Sequence, residues 1–238
     1  MKALALCALA ACSYPEKVLI DANGAPYGCL NAPAPTTADD PITITGTVKT
    51  ALEAKPIAGA TVTGHLVSLP SPVFTVSVDS TTHFTRSQAT AGAPVGLYLE
   101  VAANGYATGY YYPPHALTHD YYIDTILWDQ TDSGTFAGLA QATFDPSKSQ
   151  MFVTVGDCND TPVAGATVTV TPPGAVVRYF ANHQPSTTAA ATDSQGLVFI
   201  ANLPPGNVAV NATANGMTWK TVNAQSIAGT FLAITIQP

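Results

Sequence analysis

His115 and His119, in the run His115-Ala116-Leu117-Thr118-His119-Asp120, are spaced for metal chelation, because residues i and i+4 share one face of a helical turn. Pro113-Pro114 just ahead of them suits the first turn of a helix. The same segment reads better as a polar surface loop after a Tyr-rich strand, and no metal is assigned to it. Asp157-Cys158-Asn159-Asp160 offers oxygen ligands of the kind calcium takes, but without the spacing of a full calcium loop. It reads as a turn between strands. The densest chemistry is phenolic: Tyr106, Tyr110, Tyr111, Tyr112, Tyr121 and Tyr122 fall close together. In a strand Tyr110 and Tyr112 face one way and Tyr111 the other. At least one face then carries aromatic surface suited to a sugar or a protein, unless the strand at 121–128 or a neighbouring domain covers it. Tyr110, Tyr111, Tyr112, Tyr121 and Tyr122 are the candidate ligand-binding residues. No Gly-x-Ser-x-Gly, His-Glu-x-x-His, phosphate-cradling Gly-x-x-x-x-Gly-Lys or dinucleotide fingerprint occurs. The expectation is a chain that is not an enzyme and needs no cofactor; a hydrolase is the least favoured alternative.

The elements that must carry these residues read as strands. Ile42 and Ile44 alternate with Thr43 and Thr45, and Leu97, Leu99 and Val101 alternate with Tyr98 and Glu100. Val208, Val210 and Ala212 do the same, and Ile234 and Ile236 close the chain in that rhythm. Period two with one apolar face marks half-buried antiparallel strands. The breaks are turn chemistry: Asn104-Gly105, Asn215-Gly216, Asp193-Ser194-Gln195-Gly196 and Pro204-Pro205-Gly206. Charged residues are 10% against 47% hydrophobic, where about 25% charged is usual, a mix that favours strands and tight turns. With net charge −7 and its eight Lys and Arg dispersed, the chain has no basic stripe, so nucleic acid is excluded as an expected partner.

An internal repeat organises the body. Pro56-Ile57-Ala58-Gly59-Ala60-Thr61-Val62-Thr63 recurs as Pro162-Val163-Ala164-Gly165-Ala166-Thr167-Val168-Thr169, and Ala103-Asn104-Gly105 as Ala214-Asn215-Gly216. Two anchors in one order argue for duplicated domains. Residues 13–40, rich in Pro, read as a tether. Within 129–149, Ser133 is a candidate cap for a short helix connecting the domains.

Two resemblances follow from these residues. Met1-Lys2, the apolar run Ala3 to Ala11 and Leu9-Ala10-Ala11-Cys12 have the order of a secretory signal, and Leu-Ala-Ala-Cys resembles the bacterial lipobox. The run is too short to span a bilayer, which needs about 20 residues. The resemblance implies cleavage before Cys12, acylation of Cys12 and a membrane anchored through those acyl chains. Ser13, where enteric inner-membrane lipoproteins carry Asp, is compatible with the outer membrane. With Cys7 removed and Cys12 lipidated, Cys29 and Cys158 remain and are expected to form a disulfide in an oxidising compartment, two free thiols being the alternative. The pattern Pro-(Ile/Val)-Ala-Gly-Ala-Thr-Val, then Thr192-Asp193-Ser194-Gln195-Gly196, then Leu203-Pro204-Pro205-Gly206 resembles the carboxypeptidase regulatory-like domain, which implies a transthyretin-like β-sandwich. The second copy carries the whole pattern; the first lacks Thr-Asp-x-x-Gly and Pro-Pro-Gly. The expected layout is a signal peptide at 1–11, a tether at 12–40, antiparallel β-sandwiches at 41–128 and 150–238, and a connection at 129–149. The expected function is a non-catalytic envelope lipoprotein, a structural or interaction module in the outer membrane or cell envelope. Its partner is a glycan or an envelope protein, and a carbohydrate-binding module using Tyr106 to Tyr122 is the alternative.

Overall fold

The computed structural model describes residues 27–238 apart from 31 and 70; Cys12 and the whole apolar N-terminal run lie outside the described residues. The described chain is all-β but for one helix, and it forms two compact units, Ala34–Asp132 and 27–33 with Ser133–Pro238. Each unit combines two sheets.

In the first unit β1 (Ile42–Thr50) lies between β4 (His83–Gln88) and β7 (Tyr121–Leu127). The second sheet runs β6 (Gly109–Tyr112), β5 (Leu97–Ala102), β2 (Thr61–Leu66), β3 (Pro72–Ser77). The helix α1 (Gln130–Leu139) follows. In the second unit one sheet runs β11 (Gln184–Ser186), β10 (Val176–Ala181), β12 (Leu197–Leu203), β8 (Ser149–Val155), β16 (Phe231–Ile236). In the other, β13 (Gly206–Ala214) lies between β9 (Thr167–Thr171) and β15 (Val222–Ser226), with β14 (Met217–Thr218) turned back on its end.

The alternation read from sequence is the burial pattern observed. Ile42 and Ile44 of β1, Val62 of β2, and Leu99 and Val101 of β5 are fully buried. In the second unit Phe152 sits at the centre of an aromatic core, with ring centroids 5.5 Å from Phe136 and Phe231, 5.2 Å from Phe199 and 5.7 Å from Phe180. Phe136 is the contribution of α1, which buries it with Ala137.

Three expectations change. The strands are not all antiparallel: β1 pairs β7, and β8 pairs β16, in parallel. First and last strands are separated by the whole unit, so no tight turn forces them antiparallel. The helix is capped by Asp129, whose Oδ1 accepts the Asp132 N–H at 2.7 Å, while Ser133 lies inside the helix and is buried. An Asp three residues upstream of the orphan N–H does what a Ser inside the first turn cannot. Finally, the segment read as tether is built into the fold from residue 27 onward. Tyr27 packs on Trp219 at 6.2 Å, Ala38 N–H bonds the Gly92 carbonyl at 3.0 Å, and Asp40 Oδ1 accepts the Thr90 N–H at 2.9 Å.

The repeat is structural as well as sequential. Gly59 and Gly165 take φ of 75° and 78°, a conformation that disfavours any Cβ. Their N–H groups bond the carbonyls of Val78 (3.1 Å) and Thr192 (2.8 Å). Ala60, Val62, Ala166 and Val168 then enter the core.

Candidate functional site

The β5–β6 connection turns at Asn104-Gly105, where Tyr106 N–H bonds the Ala103 carbonyl at 3.2 Å and Gly105 has φ of 86°. Leu99 pairs Tyr111 and Glu100 pairs Tyr110, while across β5 and β2 Tyr98 pairs His65. Strand pleating turns Leu97, Leu99, Val101 and Tyr111 inward and leaves Tyr98, Glu100, Tyr110 and Tyr112 half-buried on the outer face. A row of rings results. His65 stacks on Tyr98 at 4.9 Å and 6°, and Tyr112 stacks on Tyr98 at 5.1 Å and 18°. Tyr110 leans on Tyr98 at 6.3 Å and 49°. Cross-strand spacing of about 4.8 Å is the stacking distance of aromatic rings, so neighbouring strands build such a row without strain.

Glu100 gives the row its polarity. Its Oε2 lies 3.0 Å from His65 Nε2. Burial, reinforced by the Glu100 carboxylate and by Tyr98 and Tyr112, pushes the Tyr110 phenol up to about 12. Burial and Glu100 raise Tyr98 as well. Both hydroxyls stay protonated at neutral pH.

The expected tyrosine cluster separates into three places. Tyr110 and Tyr112 join the row. Tyr111 is corrected to a core residue: it is 3% exposed, its hydroxyl donates to the Ile126 carbonyl and accepts the Ile126 N–H, and burial drives its phenol far above the ordinary range. Tyr121 and Tyr122 stand on β7, in the other sheet, where Tyr122 donates to Asp124 Oδ1 at 2.9 Å. That carboxylate also receives Thr47 Oγ1 and, at 3.3 Å, Lys49 Nζ. His65, Tyr98 and Glu100 are site residues that sequence reading missed. The signal for Tyr98 and Glu100 was the period-two pattern of 97–101, which places them outward together; His65, on β2, joins them only through strand pairing.

The remaining candidates resolve plainly. Residues 115–119 form no helical turn; Leu117 bridges Val95, and His119 Nδ1 lies 2.7 Å from Asp39 Oδ2. Asp157 Oδ1 accepts the N–H groups of Asn159 (2.8 Å) and Thr161 (2.9 Å), the turn expected there. Among the described residues no group of three or more His, Cys, Asp or Glu is placed to hold a metal. Cys29 and Cys158 form a disulfide, with Cα atoms 5.8 Å apart.

No known protein family matches the chain, and no curated protein does. Among solved structures, it is similar to catechol 1,2 dioxygenase from Acinetobacter radioresistens at 15% identity, over 38% of this chain and 52% of that one, with a TM-score of 0.29. Hydroxyquinol 1,2-dioxygenase from Pseudomonas putida DLL-E4 is similar at 12% identity over 40% and 58%, TM-score 0.29. The shaft pilin SpaA from Lactobacillus rhamnosus GG is similar at 11% identity over 83% and 98%, TM-score 0.29. The chain thus spans about half the length of the catechol dioxygenase it matches. At these scores the likeness assigns no family. The expectation that the chain is not an enzyme is withdrawn, since catechol and hydroxyquinol dioxygenases stand among the similar structures.

Proposed function

We propose that this chain is an extracytoplasmic interaction module of the cell envelope, two transthyretin-like sandwiches held at the outer membrane by acyl chains on Cys12. The observation that carries the reading is the Cys29–Cys158 disulfide, since such bonds persist in oxidising compartments and are rare in the cytosol. Among the described residues no helix is long and apolar enough to cross a membrane, so the acyl chains supply the anchor in this reading. Metabolic labelling with an alkynyl fatty acid tests it. Labelling that requires Cys12 and is blocked by globomycin supports the anchor; a chain that stays unlabelled, or labels equally as Cys12→Ser, refutes it.

The contact surface in this reading is the outer row of His65, Tyr98, Tyr110 and Tyr112 around Glu100. An envelope protein is the favoured partner, because both faces of the Tyr98 ring are covered by His65 and Tyr112, whereas sugar stacking needs an open ring face. A glycan reading draws on the Glu100 acceptor beside the Tyr110 donor. Electrophoretic retardation in polysaccharide gels, lost on Glu100→Gln, favours the glycan; photocrosslinking from position 110 into one envelope protein favours the protein.

A further inference from the structure

The two copies of the repeat differ at one sheet edge. In the first unit β2 has a strand on each side, β5 and β3. In the second its counterpart β9 pairs, among the described residues, only with β13. Hydroxyl groups occupy the position that β3 takes in the first copy. Thr192 Oγ1 accepts the Ala166 N–H at 2.8 Å, and the Tyr179 hydroxyl, reaching over from β10, accepts the Val168 N–H at 2.9 Å and lies 3.5 Å from the Val168 carbonyl. Backbone groups alternate sides along a strand. Val170, two residues beyond Val168, therefore directs its N–H and C=O to the same open side.

We propose that the open side of β9 is a strand-addition site for a second copy of this chain, paired antiparallel through its own β9 and held shut by the Tyr179 hydroxyl. The strand Thr167-Val168-Thr169-Val170-Thr171 is uncharged, β-branched and free of Pro, the composition that templates edge pairing. It also reads the same in both directions, so when two copies meet about a two-fold axis each Thr faces a Thr and each Val a Val, as a self-complementary isologous contact favours. With Thr169 opposite its own counterpart, Val168 of each strand bonds Val170 of the other, and every outward group from 168 to 170 is satisfied. The Tyr179 phenol bonds the residue at which the pairing would begin.

The test removes that oxygen. Tyr179→Phe in the full chain keeps the ring and is expected to raise the solution mass toward that of a dimer across a concentration range in which the parent stays monomeric, read by light scattering. Adding Val170→Pro deletes an outward N–H and is expected to return the chain to monomer. Adding Thr169→Cys instead is expected to give an intermolecular disulfide, because facing residues of a non-hydrogen-bonded pair lie about 4.5 Å apart at Cα. A Tyr179→Phe chain that keeps the parent's mass throughout, or a dimer that persists with Val170→Pro and does not crosslink at 169, overturns the proposal. Should Tyr179→Phe lose its fold, Thr169→Cys in the otherwise unchanged chain decides. Slow crosslinking at high concentration, abolished by Val170→Pro, supports the site, and no crosslink overturns it.

Discussion

The turn entering β4 and the turn entering β12 are the same turn made from different residues. In the second unit Asp193 Oδ1 accepts the Gln195 N–H at 2.9 Å, its carbonyl accepts the Gly196 N–H at 3.0 Å, and Gly196 has φ of 64°. In the first, Asp79 Oδ1 accepts the Thr81 N–H at 2.8 Å, its carbonyl accepts the Thr82 N–H at 3.0 Å, and Thr82 has φ of 69°. The first copy therefore builds the Thr-Asp-x-x-Gly turn without the Gly. The next hydrogen bond explains how. Val155 N–H meets the Gly196 carbonyl at 2.8 Å, and a Cβ on Gly196 would lie 2.4 Å from the Val155 oxygen. The matching bond from Val48 to Thr82 is stretched to 3.4 Å. A slackened ladder admits a side chain and a tight one does not. The residue before Asp differs too: Thr192 ties Ala166 N–H and the Val163 carbonyl (2.7 Å), whereas Val78 is a buried apolar side chain.

Exchanging residues between the copies breaks or sharpens this comparison, and Trp128 in the first unit and Trp219 in the second report on each separately. Gly196→Thr has the largest expected effect, about 3 kcal/mol or more of destabilisation, because a β-branched residue meets both the positive φ and the Val155 carbonyl. Denaturant unfolding followed at Trp219 measures it, and a cost under about 1 kcal/mol would mean that the tight ladder is not what demands Gly. Thr192→Val keeps the shape and strands two buried backbone groups, which costs about 1–3 kcal/mol at the same reporter. Thr82→Gly runs the other way. It relieves a left-handed Thr and raises the stability read at Trp128 by up to about 1 kcal/mol.

The smallest effect is electrostatic. Burial first, then the neighbouring Asp129, raises the Asp132 carboxyl to about 6. A raised folded value means that its contribution is complete below about 3.8, the ordinary value of the carboxyl in the unfolded chain, and is lost as pH rises through about 6. Asp132→Asn should flatten the decline in stability between those limits. An unchanged pH profile would assign the decline to other groups.

Much of the fold was legible because its signals are local. Alternating Leu97-Tyr98-Leu99-Glu100-Val101 announces both the strand and its faces, and the repeated Gly59 and Gly165 announce the turn into β2 and β9. Asn215-Gly216, with φ of 52° and 75°, makes the two-residue hairpin that its sequence advertises. The identical Asn104-Gly105 does not: only Gly105 goes positive, and the longer loop shifts the register by one residue. A one-residue shift exchanges every face, which is why the partners of Tyr98 could not be read from the dipeptide. The parallel pairing of β1 with β7 and the stacking of His65 on Tyr98 join residues distant in sequence, and no local pattern encodes them.

The Cys29–Cys158 bond closes a covalent ring of 129 residues of separation, and every strand from β1 to β8 lies inside it. A pull between the chain ahead of Cys29 and Pro238 therefore crosses from one sulfur to the other and continues through 158–238. The first unit lies inside the ring, off the covalent path of that pull. Reduction of the one bond would put it on that path.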